Sequence, residues 1–323
     1  MNFEVGKSLL YLSRSNAENL GLNPIQIVSE IGDCVKETRL GGTVLAATNK
    51  VAIEDGAQFI SKGGYIRNSR EVALKWFGSF RGNAALGLRE YHPMVLLNES
   101  DHGFPIAVMD GTWISEFRTA AISAYAATKL ARPDSNSIGF VACGAQAHAH
   151  LIIFKDIFPL RTVYAYSRTR DTTLAFCRFA EQLGLEAIAA PNARDVVESA
   201  EIIVTSVPYV SNTTPILEGG WIQPGGFASM VDRGFSWKTD TLTSLDRLFT
   251  DDLNLSGEGG PEKLNCDPRL LSGDLTDLHS RQNESYRERT ALIFSGSGLF
   301  DVALASLVFR VARSRGMGTI LPL

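Results

Sequence analysis

IGFVACGAQAHAHL, residues 138–151, reads as a strand ending at Val141, a turn of small residues, and a helix beginning near Ala145. A turn of this kind lets backbone N–H groups and a helix N-terminus meet a pyrophosphate. The glycine pattern of dinucleotide-binding folds, G-x-G-x-x-G/A, stands here as Ala142, Cys143, Gly144, Ala145, Gln146 and Ala147. The first glycine has become alanine. Gly144, the position where backbone approaches the pyrophosphate, is kept, and Ala147 is a permitted small residue for packing helix on strand. A small-residue turn in a domain without any cofactor would look the same, so the motif needs its surroundings.

The surroundings alternate. Thr162–Tyr166 reads as a second strand and Thr172–Leu183 as a second helix. Leu185–Ala189, Ala193–Ala200 and Glu201–Val207 continue the order, and Phe227–Val231 and Arg247–Asp251 add strands. Apolar strands separated by helices predict a parallel sheet covered on both faces, an α/β Rossmann-type doubly wound domain. The second strand leads into Ser167, Arg168, Thr169 and Arg170, with no acid among them. A free ribose hydroxyl is usually met by Asp or Glu at this place. Arginines and hydroxyls match a 2′-phosphate instead, so the expected cofactor is NADP, with NAD the alternative. Thr205 and Ser206 end the fourth strand, where ligands of such sheets pass.

Before residue 131 the texture is irregular. Pro24–Gly41 has helical period, Val72–Trp76 reads as a strand, and Met94–Leu97 and Phe104–Met109 as a hairpin. ISEFRTAAISAYAATKLA, 114–131, is a long alanine-rich helix broken by Arg132, Pro133 and Asp134. Ala291–Phe309 is largely apolar, yet it contains an SGSG turn and Asp301, so a strand, a turn and a buried helix are expected rather than a membrane span. These breaks separate an irregular α+β part at 1–131 from the nucleotide domain at 132–301, and the final helix, with 302–323, comes after the sheet and can cross back to the first part.

At 323 residues the chain is long enough for two domains and a core without staples. Its net charge of −4 argues against nucleic acid as a partner. The four cysteines are too scattered for a zinc site or a C-x-x-C pair, and His148 and His150, two apart on a helix, diverge. No metal is expected. Cys143 reads as a small buried hydrophobe of the turn rather than a nucleophile. MNFEVGKSLLYLSRSN lacks the apolar core of a signal peptide, so a reduced, cytoplasmic protein is expected.

Several segments together resemble the ornithine cyclodeaminase/mu-crystallin family: ALKWFGS (73–79), PMVLLNESDHGFPIAVMDG (93–111), the 114–131 helix, the CGAQA turn (143–147) and IFSGSGLFDVALA (293–305). Within that family LYLSRSNAENLG (10–21) and GTILPL (318–323) look most like the branch that makes 2,3-diaminopropionate by oxidising the opine-like adduct N-(2-amino-2-carboxyethyl)-glutamate. The resemblance implies a homodimer whose first domain, with the last helix, carries substrate binding and dimerisation. It also implies hydride exchange between a nicotinamide and a carbon bearing nitrogen, in a small amino, imino or oxo acid.

The resemblance gives roles to particular residues. Lys75, in an apolar strand where an unpaired ammonium is costly, would bind the substrate carboxylate or carry a proton to the imine nitrogen. Arg118 would clamp the carboxylate with two parallel bonds. Ser297 and Gly298 of the SGSG turn would approach the nicotinamide. Asp301 reads equally as a helix-dipole charge and as a substrate contact. The family's proton-handling aspartate falls on Gly234, with Asp232 two residues earlier as its replacement. A second family arginine is missing from TVLAATNKV (43–51), where Lys50 is the nearest cation. The leading expectation is an imine reductase or an amino-acid or opine-type dehydrogenase. A cyclodeaminase and a non-catalytic, mu-crystallin-like binder remain as alternatives.

Overall fold

The computed structural model describes residues 3–54, 57–208, 214–256, 263–280 and 286–323. The chain divides into two compact units, Met1–Arg118 with Ser297–Leu323, and Thr119–Gly296. The first division falls inside the helix Gly111–Leu130, and the second falls inside the SGSG turn.

The Thr119–Gly296 unit is built on a parallel sheet of eight strands. Their order is Glu186–Ala189, Thr162–Tyr166, Ser137–Val141, Ile202–Thr205, Phe227–Met230, Thr290–Ile293, Arg247–Thr250 and Leu271–Asp274. The central strands are buried along their whole length, as the sequence predicts for a sheet covered on both faces. The strand order reverses between Ser137–Val141 and Ile202–Thr205, the switch point at which doubly wound sheets bind ligands.

The other unit carries an eight-stranded mixed sheet. Its order is Thr319–Pro322, Ser8–Leu12, Pro105–Asp110, Met94–Glu99, Glu71–Ser79, Gln58–Ile66 and Thr43–Leu45, with Asn49–Ala52 also paired to Gln58–Ile66. Met94–Glu99 and Pro105–Asp110 form the expected hairpin. In Glu71–Ser79 side chains alternate strictly at first: Glu71, Ala73 and Lys75 point inward and Val72, Leu74 and Trp76 outward. The helices Pro24–Arg39 and Leu299–Arg315 pack together, and Leu299–Arg315 lies on the inner face of the sheet. Gly298, just ahead of that helix, sits so close to the Gly63 backbone that an added Cβ would lie 2.6 Å from its nitrogen. Lack of a side chain there brings the helix start onto the strand. Ala291–Phe309 is a strand, a turn and a buried helix, and no helix among the described residues is long and apolar enough to cross a membrane.

One residue is strained where the sequence departs from the glycine pattern. Ala142 adopts φ +74°, the left-handed region that L side chains disfavour. Its N–H donates to Tyr166 O at 2.9 Å and its carbonyl accepts from Ser206 Oγ at 3.3 Å, which hold it there. Ala142→Gly is therefore expected to raise stability by about 0.5–1 kcal/mol in urea unfolding, the relief of strain exceeding the added freedom of the unfolded chain. An unchanged or lowered midpoint would count against the strain.

Candidate functional site

Three elements meet at a buried ionic cluster in the first unit. The strand Glu71–Ser79 supplies Lys75, only 4% exposed. Asp110 starts the helix Gly111–Leu130 by accepting from Thr112 N at 3.0 Å and Trp113 N at 3.2 Å. That helix presents Ser115 and Arg118, three apart and so on one face. The helix Leu299–Arg315 supplies Asp301 from its first turn, where its charge also complements the helix dipole.

Lys75 Nζ donates to Asp301 Oδ1 at 2.7 Å and to Ser115 Oγ at 3.3 Å, and Arg118 Nε lies 3.2 Å from the same Oδ1. Two cations thus share one carboxylate oxygen. Among the described residues, Arg118 Nε and Nη1 and Asp301 Oδ2 make no hydrogen bond although they are buried. Buried polar atoms are seldom left so. A guanidinium with unused donors beside an ammonium is an arrangement for gripping a carboxylate. Burial pushes the Lys75 ammonium down to about 8, against the pull of Asp301 and with the push of Arg118. For Asp301 burial works the other way, and Arg118 and Lys75 overcome it and hold the carboxyl below its ordinary value. The sequence alone leaves Asp301 between two roles. Its signal was an acid three residues beyond the SGSG turn, at a helix start.

The nucleotide turn lies in the other unit. Gly144 precedes the helix Ala145–Ile157 with no side chain capping it, so the first N–H groups of the helix are open to a ligand. Gly144 and Ala145 are exposed, and nothing lies within 4 Å of where a Gly144 Cβ would stand. These features fit a pyrophosphate. Gln146 is half-buried, and its Oε1 makes no hydrogen bond among the described residues. Ser167 accepts from Cys143 N at 2.8 Å and so ties the second strand's end to the turn. Arg168, Thr169 and Arg170 are exposed at the start of the helix Arg170–Gln182. Cys143 is buried, with burial raising its thiol to about 11.

Thr205 and Asp232 are turned onto their own chain. Asp232 Oδ1 accepts from Thr205 Oγ1 at 3.1 Å and Gly234 N at 3.2 Å, and Oδ2 from Ser236 Oγ at 2.6 Å and Val207 N at 3.3 Å. Burial raises its pKa against these four bonds. Thr205 Oγ1 also accepts from Trp237 Nε1 at 3.1 Å. Gly234 has φ +77°, and a Cβ on it would lie 2.8 Å from Ile293 Cδ1. An aspartate at that position would be strained in this backbone. Asp251, which the sequence did not single out, accepts from Ser295 N at 2.6 Å and Gly296 N at 2.8 Å and so fastens the start of the SGSG turn. Ser297 is buried and Gly298 abuts Gly63. His150 is buried, bonded to Gln146 O and Ser123 Oγ.

The sequence profile of the ornithine cyclodeaminase/mu-crystallin family matches residues 63–308, most of the chain and all of Lys75, Arg118 and Asp301. The chain belongs to that family. An alanine dehydrogenase of Archaeoglobus fulgidus is 27% identical over 261 residues, 77% of this chain and 79% of that protein. The N-((2S)-2-amino-2-carboxyethyl)-L-glutamate dehydrogenase of Staphylococcus aureus is 25% identical over 344 aligned positions, spanning 99% of this chain and 100% of that one. The solved structure of Thermococcus litoralis Delta(1)-pyrroline-2-carboxylate reductase in complex with NADH and L-proline superposes with a TM-score of 0.86 at 23% identity. It covers 96% of this chain and 99% of that one, and shows the shared fold.

Asp301→Asn leaves two buried cations without their counter-charge. It is expected to destabilise the protein by about 3 kcal/mol at pH 7, with the loss shrinking as pH rises and Lys75 gives up its proton. Urea unfolding at pH 7 and pH 9 reads both effects. Equal midpoints for variant and wild type at pH 7 would contradict the pairing.

Proposed function

We propose that the protein is an NAD(P)-dependent oxidoreductase acting on the C–N carbon of a small amino or imino acid, an imine reductase or an amino-acid or opine-type dehydrogenase. The observation that carries this reading is the pair of buried cations, Lys75 and Arg118, with donors left unused. Arg118 grips the substrate carboxylate and fixes its orientation, which lowers the entropic part of the barrier. Lys75, poised near neutrality, holds the proton that the nitrogen takes up when C=N becomes CH–NH, and accepts it in the oxidative direction. Asp301 favours the charged form of Lys75 and holds both cations in place. When bound, a nicotinamide supplies or takes the hydride and its two electrons. The backbone N–H groups at Gly144, Ala145 and Gln146 and the thiol-bearing Cys143 turn would hold its pyrophosphate. Ser167, Arg168, Thr169 and Arg170 would meet a ribose 2′-phosphate, which favours NADP. Ser206 supports the turn through Ala142 O, Thr205 and Ser206 are assigned to the strand end that the cofactor passes, and Ser297 and Gly298 to the nicotinamide end.

Asp232 is assigned to shaping its own turn, since all four acceptor positions on its carboxylate are occupied. With Gly234 where the family carries a proton-handling aspartate, the chain lacks the group that favours ornithine or lysine cyclodeamination. The deciding assay incubates 2-oxo acids with ammonia or amines and follows NADPH absorbance. Steady oxidation of NADPH supports the reading. Ammonia release from ornithine or lysine without net absorbance change would replace it with a cyclodeaminase, and cofactor binding without any turnover would replace it with a binder.

Three outcomes follow from named groups. Arg168→Ala is expected to weaken NADPH binding roughly tenfold or more while leaving NADH nearly unchanged, read by fluorescence titration. Carboxylate binding and proton donation both need the charged ammonium, so kcat/KM in the reductive direction is expected to fall as pH rises through about 8. Lys75→Arg, which stays charged, should be slower but should lose that limb. Finally, Val72, Leu74, Trp76 and Leu96 form an exposed apolar face on the first unit's sheet, with Phe59 stacked on Trp76 at 5.5 Å. A patch of this kind marks an association surface. We assign it to a homodimer, and Leu74→Glu is expected to give a monomer in light scattering.

A further inference from the structure

A cavity of about 550 Å³ lies in the first unit, between the helices Pro24–Arg39 and Leu299–Arg315 and the turn that joins the strands Gln58–Ile66 and Glu71–Ser79. Lys75, Arg118 and Asp301 are not among its lining groups. Glu30, Asp33 and Glu37 line one side, and their spacing of three and four puts them on one face of their helix. Leu40, Ile66 and Ala303 give the cavity apolar walls.

The three acids differ in their circumstances. Glu30 is paired with Arg310, whose Nη2 donates to it at 2.7 Å. Asp33 is exposed at the rim, as is Lys36. Glu37 is only 6% exposed, yet among the described residues its carboxylate makes no hydrogen bond or ion pair. Glutamate is almost never buried unless it is paired, because an isolated charge out of water is costly. The chain also makes room for this acid: a Cβ added to Gly42 would collide with Glu37 Oε1. Two more buried polar atoms lie close by. Glu71 stands directly opposite Ile66, and Ser306 falls between Ala303 and Arg310 on one helix face. Neither Glu71 Oε2 nor Ser306 Oγ makes a hydrogen bond among the described residues. Burial raises the Glu71 carboxyl above its ordinary value, against Ser306, Arg310 and Ser69.

We infer that this cavity binds a small organic cation, a primary alkylammonium, with its nitrogen on Glu37 and its stem against Leu40, Ile66 and Ala303. An ammonium brings three donors and a full charge to a carboxylate that has neither. Among the described residues no three histidines, cysteines or acids converge to hold a metal ion, which favours an organic cation. Asp33, four residues before Glu37 on the same face, offers a place for a second ammonium. The inference stands apart from the C–N chemistry proposed above and does not rest on it.

The test is calorimetric titration of the full chain in amine-free buffer at neutral pH and constant ionic strength. The probes are butylamine, butanediamine and, as a neutral stem of similar length, butanol. Wild type is expected to bind butylamine with a Kd of about 1 mM or tighter, and the diamine several-fold more tightly than the monoamine. Butanol should give no saturable binding. Glu37→Gln should weaken both amines roughly tenfold or more. Asn68→Lys, a change at an exposed turn residue lining the cavity, sets a competing ammonium at its mouth and should weaken them likewise without touching the helix. Urea midpoints report whether each variant folds. No binding of either amine to wild type would overturn the assignment. So would butanol binding as tightly as butylamine, the mark of a merely apolar crevice. Unchanged amine affinity in folded Glu37→Gln, or in Asn68→Lys should Glu37→Gln not fold, would also overturn it.

Discussion

Taking an ammonium, a guanidinium and a carboxylate out of water together is costly, and only close mutual geometry offsets it. That constraint governs the first unit. Lys75 and Asp301 are 226 residues apart in the chain yet 2.7 Å apart in space. Bringing them together requires the helix Leu299–Arg315 to sit hard on the sheet, which Gly298 and Gly63 permit by carrying no side chains at their contact. It requires the helix Gly111–Leu130 to begin where Asp110 caps it, so that Ser115 and Arg118 face the same point. A well-packed apolar substitute would give the fold at least as much stability. Charges retained there, with donors to spare on Arg118, are in keeping with the carboxylate site proposed above.

The nucleotide turn shows a different compromise. Ala142 occupies a backbone region natural to glycine, and the neighbouring strands hold it by hydrogen bonds from Ser206 and to Tyr166. The turn's outer side is left clear at Gly144. Strain of this sort persists only where surrounding structure over-determines it. Ser167 adds to that determination by accepting from Cys143 N, while Thr205 and Asp232 link the ends of the two neighbouring strands to each other. Residues that sequence reading assigned to ligand contact thus also build the rim on which a ligand would rest.

The two faces of the strand Glu71–Ser79 have opposite duties. Its inner side carries Lys75 into the ionic cluster, and its outer side offers Val72, Leu74 and Trp76 to solvent in the isolated chain. A slip of one residue in register would exchange the two sets and put the lysine outside. The long pairing with Gln58–Ile66 over nine residue pairs guards against that slip, and it is also what sets Lys62 opposite Lys75.

The amino-acid sequence determined the parallel sheet, its switch-point turn, the hairpin, the alanine-rich helix and the strand–turn–helix at 291–309. Each of these rests on periodicity and turn chemistry within a window of some ten residues. Resemblance to a family added Lys75 and Arg118. Tertiary structure alone decided that Asp301 pairs with both cations and that Lys62 stands opposite Lys75. It also decided that Asp232 spends its acceptors on its own turn, that Gly234 sits in a backbone ill-suited to aspartate, and that Asp251 fastens the SGSG turn. The strand Gln58–Ile66, interrupted by Lys62, Gly63 and Gly64, gave no clear alternation to read. The physical reason is the range of the forces involved. Backbone preference and side-chain period are properties of neighbours in the chain, whereas charge pairing and acceptor occupancy depend on which distant side chains the fold brings within about 3 Å of one another.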